Sequence, residues 1–73
     1  MDYSNTYQKY QEKQEKLDAL LALHELLISA FHNAVYLQNF GIDNVRIINK
    51  INEAIKEVNN LIYEVENEDL DKE

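Results

Sequence analysis

Only one residue of this chain is expected to interrupt regular secondary structure. The 73-residue sequence contains a single glycine, Gly41, and no proline. Because these two residue types end many helices and strands, a lone interruption predicts two long elements joined by one tight turn. Gly41 is suited to the left-handed backbone conformation that commonly closes a helix, and Asp43 is suited to cap the start of the next one.

Both elements are predicted to be helices, because their apolar residues recur at alternating steps of three and four. A strand is the minor alternative. In the first element the repeated positions are Tyr3, Tyr7, Tyr10, Gln14, Leu17, Leu21, His24, Ile28, Phe31, Val35 and Gln38. In the second element they are Ile48, Ile51, Ile55, Val58, Ile62 and Val65. The predicted helices cover residues 4–39 and 44–66, with the turn at 40–43.

The expected fold is all-α: one two-helix antiparallel hairpin domain over residues 1–66. Counted back from the turn, residues 17–39 and 43–65 have equal length, about 35 Å at 1.5 Å per residue, so they can lie side by side. The first 16 residues then form an N-terminal overhang of the first helix. Residues 67–73 form an acidic tail that is expected to fray, because acidic side chains at a helix C-terminus oppose the helix dipole.

The first helix carries more apolar surface than one partner helix can cover. A second stripe runs beside the first in the same rhythm, through Leu20, Leu23, Leu27, Ala30, Ala34 and Leu37. Since so small a chain without disulfides rarely builds a sufficient core alone, this excess predicts a homodimer that forms a four-helix bundle. The predicted dimer interface contains Tyr7, Tyr10, Leu17, Leu20, Leu21, His24, Leu27, Ile28 and Phe31. For the tyrosines, contact with a foreign partner is the alternative.

The chain has a net charge of -7, and most of it lies near the C-terminus. Residues 64–73 hold six acids and one base, namely Glu64, Glu66, Glu68, Asp69, Asp71 and Glu73 against Lys72. One interpretation is that the carboxylates imitate the phosphates of DNA and occupy the groove of a basic protein. A dimer favours this interpretation, because its net charge is twice -7, or -14. The other interpretation is a solvated tail that keeps the protein soluble. The residues predicted to bind the basic partner are Glu53, Glu57, Glu64, Glu66, Glu68, Asp69 and Asp71.

The sequence lacks a recognisable arrangement of catalytic or cofactor-binding residues. It has no cysteine, so disulfides, thiolate metal sites and thiol nucleophiles are excluded. His24 and Glu25 begin like the zinc-protease motif H-E-x-x-H, but Ile28 stands where the second histidine is required. We therefore expect no enzymatic activity, no cofactor and no metal. His24 is expected to pack in a helix seam beside a polar partner such as Gln14 or Gln38, or to make dimerisation depend on pH.

The leading functional hypothesis is a small acidic binding protein without enzymatic activity, an inhibitor from a phage or mobile element that occupies the nucleic-acid-binding site of a basic host protein. The alternative is a homodimeric, coiled-coil-like structural or adaptor module that binds a partner helix through its apolar face. Direct binding of DNA or RNA is not expected, because the seven basic residues are interleaved with acids. No leader and no apolar run near the roughly 18 residues of a membrane span is evident, so we expect a cytoplasmic protein without membrane contact.

Overall fold

The computed structural model describes residues 3–68, and the side chains of residues 7–68. It confirms the predicted all-α hairpin. Helix α1 covers Tyr3–Leu37, a short 3-10 helix covers Gln38–Phe40, and helix α2 covers Val45–Glu66. Side chains near the start of α1 contact the end of α2, so the two helices are antiparallel. The principal-axis extents of 63, 15 and 10 Å describe a single layer of two helices, which leaves both of its broad faces open.

The glycine turn forms as predicted, although α1 ends two residues earlier than expected. After Leu37 the chain tightens into the 3-10 turn, and the Gly41 amide donates to the Gln38 carbonyl oxygen at 3.0 Å. Gly41 has a φ of 77°, in the left-handed region that glycine adopts without steric cost. The chain therefore leaves α1 at the residue that the sequence marked.

Asn44, and not Asp43, occupies the capping position of α2. Its carbonyl oxygen accepts the first helical hydrogen bond, from the Ile48 amide at 3.0 Å. Asp43 makes only a long contact with the same helix start, since its Oδ1 accepts from the Val45 amide at 3.5 Å. Asn44 is 3% exposed, and its side-chain Nδ2 donates to the Ala34 carbonyl oxygen. Both residue types are good caps; the buried bond back to α1 explains why Asn44 takes the position.

The contact line on α1 differs from the predicted one. From Leu17 a line of half-buried and buried positions steps by three, four, three, four and three, through Leu17, Leu20, His24, Leu27, Phe31 and Ala34, and Ile28 and Ala30 are half-buried beside it. Leu21 and Val35, which the sequence placed in this seam, are 50% and 41% exposed. The physical reason lies at the turn, where the small Ala34 lets the start of α2 approach and bond its carbonyl. Helix α2 therefore packs between the two predicted stripes.

On α2 the predicted seam is confirmed. Val58 and Val65 are buried, and the remaining predicted positions are half-buried, namely Ile48, Ile51, Ile55 and Ile62. The overhang of α1 is shorter than predicted, because the Lys13 ammonium reaches the Glu66 carbonyl oxygen at 3.1 Å. Pairing of the helices thus extends back to Lys13, where the sequence predicted that the first 16 residues project. The predicted frayed tail lies mostly outside the described residues, in 69–73.

Candidate interaction surfaces

The hairpin by itself has almost no core. Among the described side chains, the buried apolar residues are Ala34, Val58 and Val65, and no large side chain is fully buried. The large apolar residues left exposed are Tyr7, Tyr10, Leu21, Leu23, Leu26, Val35, Tyr36, Leu37, Phe40, Ile42, Val45, Ile47, Leu61 and Tyr63. Contiguous apolar surface of this extent usually marks an interaction site. The candidate functional surfaces are therefore the outer faces of the hairpin.

One broad face of the hairpin is apolar on both helices. On α1 it carries a row spaced by seven residues, and on α2 a second such row. These rows, here called the shared face, are Leu23, Ala30 and Leu37 on α1 with Ile47, Ala54 and Leu61 on α2. At 100° per residue both rows are displaced by roughly 80° from the contact line of their own helix, in the same rotational sense. In an antiparallel pair of helices, rows displaced in the same rotational sense lie on the same broad face. The reason is that the twofold axis relating the two helices runs perpendicular to that face.

The opposite broad face is apolar on α1 only. There α1 presents the residues here called the α1 flank, which are Tyr7, Leu21, Ile28 and Val35, with Tyr10 beside them. The corresponding seven-residue row of α2 contains Val45, Asn52, Asn59 and Glu66, all exposed. This face therefore pairs an apolar strip with a mostly polar one.

The predicted dimer-interface residues lie along the contact between the two helices and on the side of the α1 flank, and none of them lies on the shared face. Leu17, Leu20, His24, Leu27, Ile28 and Phe31 are half-buried within the hairpin. Tyr7, Tyr10 and Leu21 are exposed, on the side of the α1 flank. In the part of the chain that the structure describes, no hydrogen bond joins His24 to Gln14 or Gln38, and both glutamines are exposed. The sequence thus identified residues that pack, but it did not separate contacts within the hairpin from surface left for a second chain.

Three of the predicted acidic residues share one side of α2. Glu53, Glu57 and Glu64 are exposed and lie on the side that faces away from α1. Glu53 and Glu57 are one helical turn apart, about 6 Å, and Glu64 follows about 10 Å further along the helix. Arg46 and Lys50 occupy the same side nearer the turn, so the acidic row begins at Glu53.

Glu66 and Glu68 do not extend this row. Glu66 lies on a different side of the helix, and Glu68 pairs with the Lys16 ammonium at 3.1 Å. Lys13 donates to the carbonyl oxygens of Glu66 and Glu68, at 3.1 and 3.4 Å. Asp69 and Asp71 lie outside the described residues. The acidic end of α2 is therefore partly neutralised by lysines of α1.

These two lysines were missed by sequence reasoning. A cation at a helix C-terminus interacts favourably with the helix dipole, so Lys13 and Lys16 offset the unfavourable placement of acids there. The end of α2 is closed further by Asn67, whose side-chain Nδ2 donates to the Tyr63 carbonyl oxygen at 2.7 Å. The available signal was spacing, because Lys13 continues the three-and-four rhythm of Leu17 and Leu20 toward the N-terminus and Lys16 lies seven residues before Leu23.

The turn forms a shallow polar groove, lined by Asp43, Asn44, Arg46, Ile47 and Lys50. Its side chains bear both signs of charge. The buried Asn44 Oδ1 has no hydrogen-bond partner among the described residues. In residues 7–68, no three His, Asp or Glu side chains lie close enough together to hold a metal ion.

The long first helix also meets the length and hydropathy criteria for a membrane span. Over Tyr7–Phe40 its best 18-residue window has a mean hydropathy of 1.3, and 6% of that window is buried in the hairpin. The sequence prediction looked for an uninterrupted apolar run and did not detect this window. A core helix of a soluble protein meets the same criteria. The hydropathy of α1 therefore indicates apolar surface to be buried, without identifying what buries it.

Comparison with known proteins adds no family to this description: no protein-family model, no curated protein and no solved structure matches the chain.

Proposed function

We propose that this protein is a small acidic binding protein without enzymatic activity that acts in the cytoplasm as a homodimeric four-helix bundle. The observation that carries the proposal is the exposure of apolar side chains along α1 and α2, beside a buried set limited to Ala34, Val58 and Val65 among the described residues. Each large apolar side chain removed from water contributes about 1.5 to 3 kcal/mol. A second hairpin laid on this surface supplies the core that one hairpin lacks.

The proposed target is a basic nucleic-acid-binding protein whose binding site the dimer occupies, as an inhibitor encoded by a phage or mobile element. Support comes from the exposed acidic row of Glu53, Glu57 and Glu64, and from a dimer charge of twice -7, or -14. A field of this size steers basic partners to the surface and repels DNA and RNA. The exposed row on α2 supports the proposal more than Glu68 does, because Glu68 is paired with Lys16.

Neutralisation of the acidic row tests this proposal. The triple variant Glu53→Gln, Glu57→Gln, Glu64→Gln removes three negative charges from the proposed surface. The matched control is Glu12→Gln, Glu15→Gln, Asp18→Asn, which removes the same number from exposed positions of α1. Each protein is immobilised and used to capture partners from a bacterial lysate, followed by elution with increasing salt and with DNA as competitor.

Mimicry of nucleic acid predicts that the native chain and the control capture a basic protein that elutes at moderate salt or with DNA. The triple variant is expected to lose that protein. Equal capture by all three proteins, or capture that ignores salt and DNA, would contradict the role of the acidic row.

The α1 flank favours a second candidate function, an adaptor module that binds a partner helix. Leu21 and Val35 are exposed in line with Tyr7, and they form an apolar strip along α1. A helix-in-groove contact of this type depends on apolar anchors and little on salt. Retention of a partner at high salt, with loss on Leu21→Asp, would favour the adaptor over the mimic.

A further inference from the structure

We propose that the shared face is the surface through which two copies of this chain meet, and that the α1 flank stays open in the dimer. This inference rests on the homodimer proposed above and assigns the surface that forms it. The occupant of the shared face is a second copy of the same face.

The two broad faces differ in the free-energy cost of removing them from water. The shared face is apolar on both helices, whereas the opposite face includes the exposed Asn52, Asn59 and Glu66 of α2. Covering amide and carboxylate groups without giving them partners is unfavourable. The shared face is therefore the one that a second hairpin can cover across its full width.

The shared face also has the symmetry that a contact between identical copies requires. In a twofold dimer, residue i of one copy contacts residue j of the other, and j contacts i. Along α2 the side chains of the shared face are large, small and large in turn, with Ala54 at the centre. An antiparallel approach of two α2 helices about Ala54 sets Ile47 of one copy against Leu61 of the other.

The area of the face is sufficient for a stable dimer. Helix α2 has 22 residues, which at 1.5 Å per residue give a paired length of about 33 Å. Two helices of about 10 Å diameter make the face about 20 Å wide, so each copy contributes roughly 650 Å². The total of roughly 1,300 Å² falls within the range of about 1,200 to 2,000 Å² typical of specific interfaces.

Two leucines provide a matched test of the assignment. Leu61 on the shared face is 47% exposed in the hairpin, and Leu21 on the α1 flank is 50% exposed. Because the chain has no cysteine, Leu61→Cys and Leu21→Cys each introduce a single thiol of nearly equal accessibility in one hairpin. A difference in their reaction with a water-soluble thiol reagent that is present in the dimer and disappears on dilution then comes from the second copy.

At a protein concentration where sedimentation shows a dimer, the thiol at position 61 is expected to react at least ~10-fold more slowly than the thiol at position 21, since reaction requires access to the sulfur. The difference should disappear on dilution below the dissociation constant. Circular dichroism of both variants verifies that each remains helical, and sedimentation of the unmodified chain measures association without any substitution.

The alternative outcomes are distinguishable. Slower reaction at position 21 in a dimer would overturn the face assignment and leave the homodimer standing. Equal rates together with a monomeric unmodified chain would overturn both. Protection of position 61 that appears only when lipid vesicles are added would overturn the second copy as the occupant, in favour of a lipid surface.

Discussion

Replacement of Asn44 provides the sharpest test of how the turn is held. General capping preferences rank aspartate and asparagine as nearly equal at the start of a helix, so they predict that Asn44→Asp is harmless. The structure predicts the opposite. Asn44 is 3% exposed and donates from Nδ2 to the Ala34 carbonyl oxygen, and a carboxylate at the same place cannot donate and would face that oxygen.

The expected magnitudes follow from these contacts. Asn44→Ala removes one buried hydrogen bond and leaves a carbonyl without this donor, which costs about 1 to 3 kcal/mol. It also removes the buried Oδ1 that lacks a partner, so the lower half of that range is expected. Asn44→Asp loses the same bond and adds a buried charge beside a carbonyl dipole, so its cost is expected to exceed that of the alanine variant by about 1 kcal/mol or more.

Urea unfolding followed by far-ultraviolet circular dichroism measures both values, at one fixed protein concentration because association contributes to stability. Lowering the pH should reduce the deficit of the aspartate variant relative to the native chain. A carboxyl group that is disfavoured as an anion in the folded state has a raised pKa there, and once protonated it can donate to Ala34. An aspartate variant as stable as the native chain at neutral pH would refute the reasoning, because it would show that the hydrogen bond from Asn44 to Ala34 does not stabilise the fold.

Three further predictions address the turn, the end of α2 and the assembly. Gly41→Ala should destabilise the hairpin by about 1 to 2 kcal/mol in the same urea assay, because alanine is strained in the left-handed conformation. The added methyl group meets nothing within 4 Å, so a larger loss would contradict the assignment of the whole effect to backbone strain. Lys13→Met should lower stability by about 0.3 to 1 kcal/mol, and the loss should shrink in high salt; a salt-independent loss would indicate packing of the lysine stem instead. The midpoint of thermal unfolding should rise with protein concentration in calorimetry, and a constant midpoint would count against the dimer.

The number of elements, their helical type and the position of the turn could be predicted from the sequence, because these properties depend on local chemistry. One glycine marked the turn, and the isoleucine and valine positions of α2 identified the face that packs. Both conclusions rest on spacing along a single helix, which the sequence displays directly.

The rotation of α1 could not be predicted in the same way. Its two stripes have the same rhythm, so periodicity alone does not decide whether α2 packs over Leu21 or over Leu20. The decision depends on Ala34 and Asn44, which lie ten residues apart and meet only across the turn. The pairing of Glu68 with Lys16 is equally non-local, so spacing along one helix did not reveal it.

The position of Lys13 and Lys16 beside Glu66 and Glu68 has a practical consequence. Residues 13 and 68 lie at the same end of the hairpin, about 33 Å from the Gly41 bend by the length of α2. A fluorophore or affinity tag attached at either position is therefore held at that end. Immobilisation there keeps the bend and the long sides of the rod accessible to whatever is passed over it.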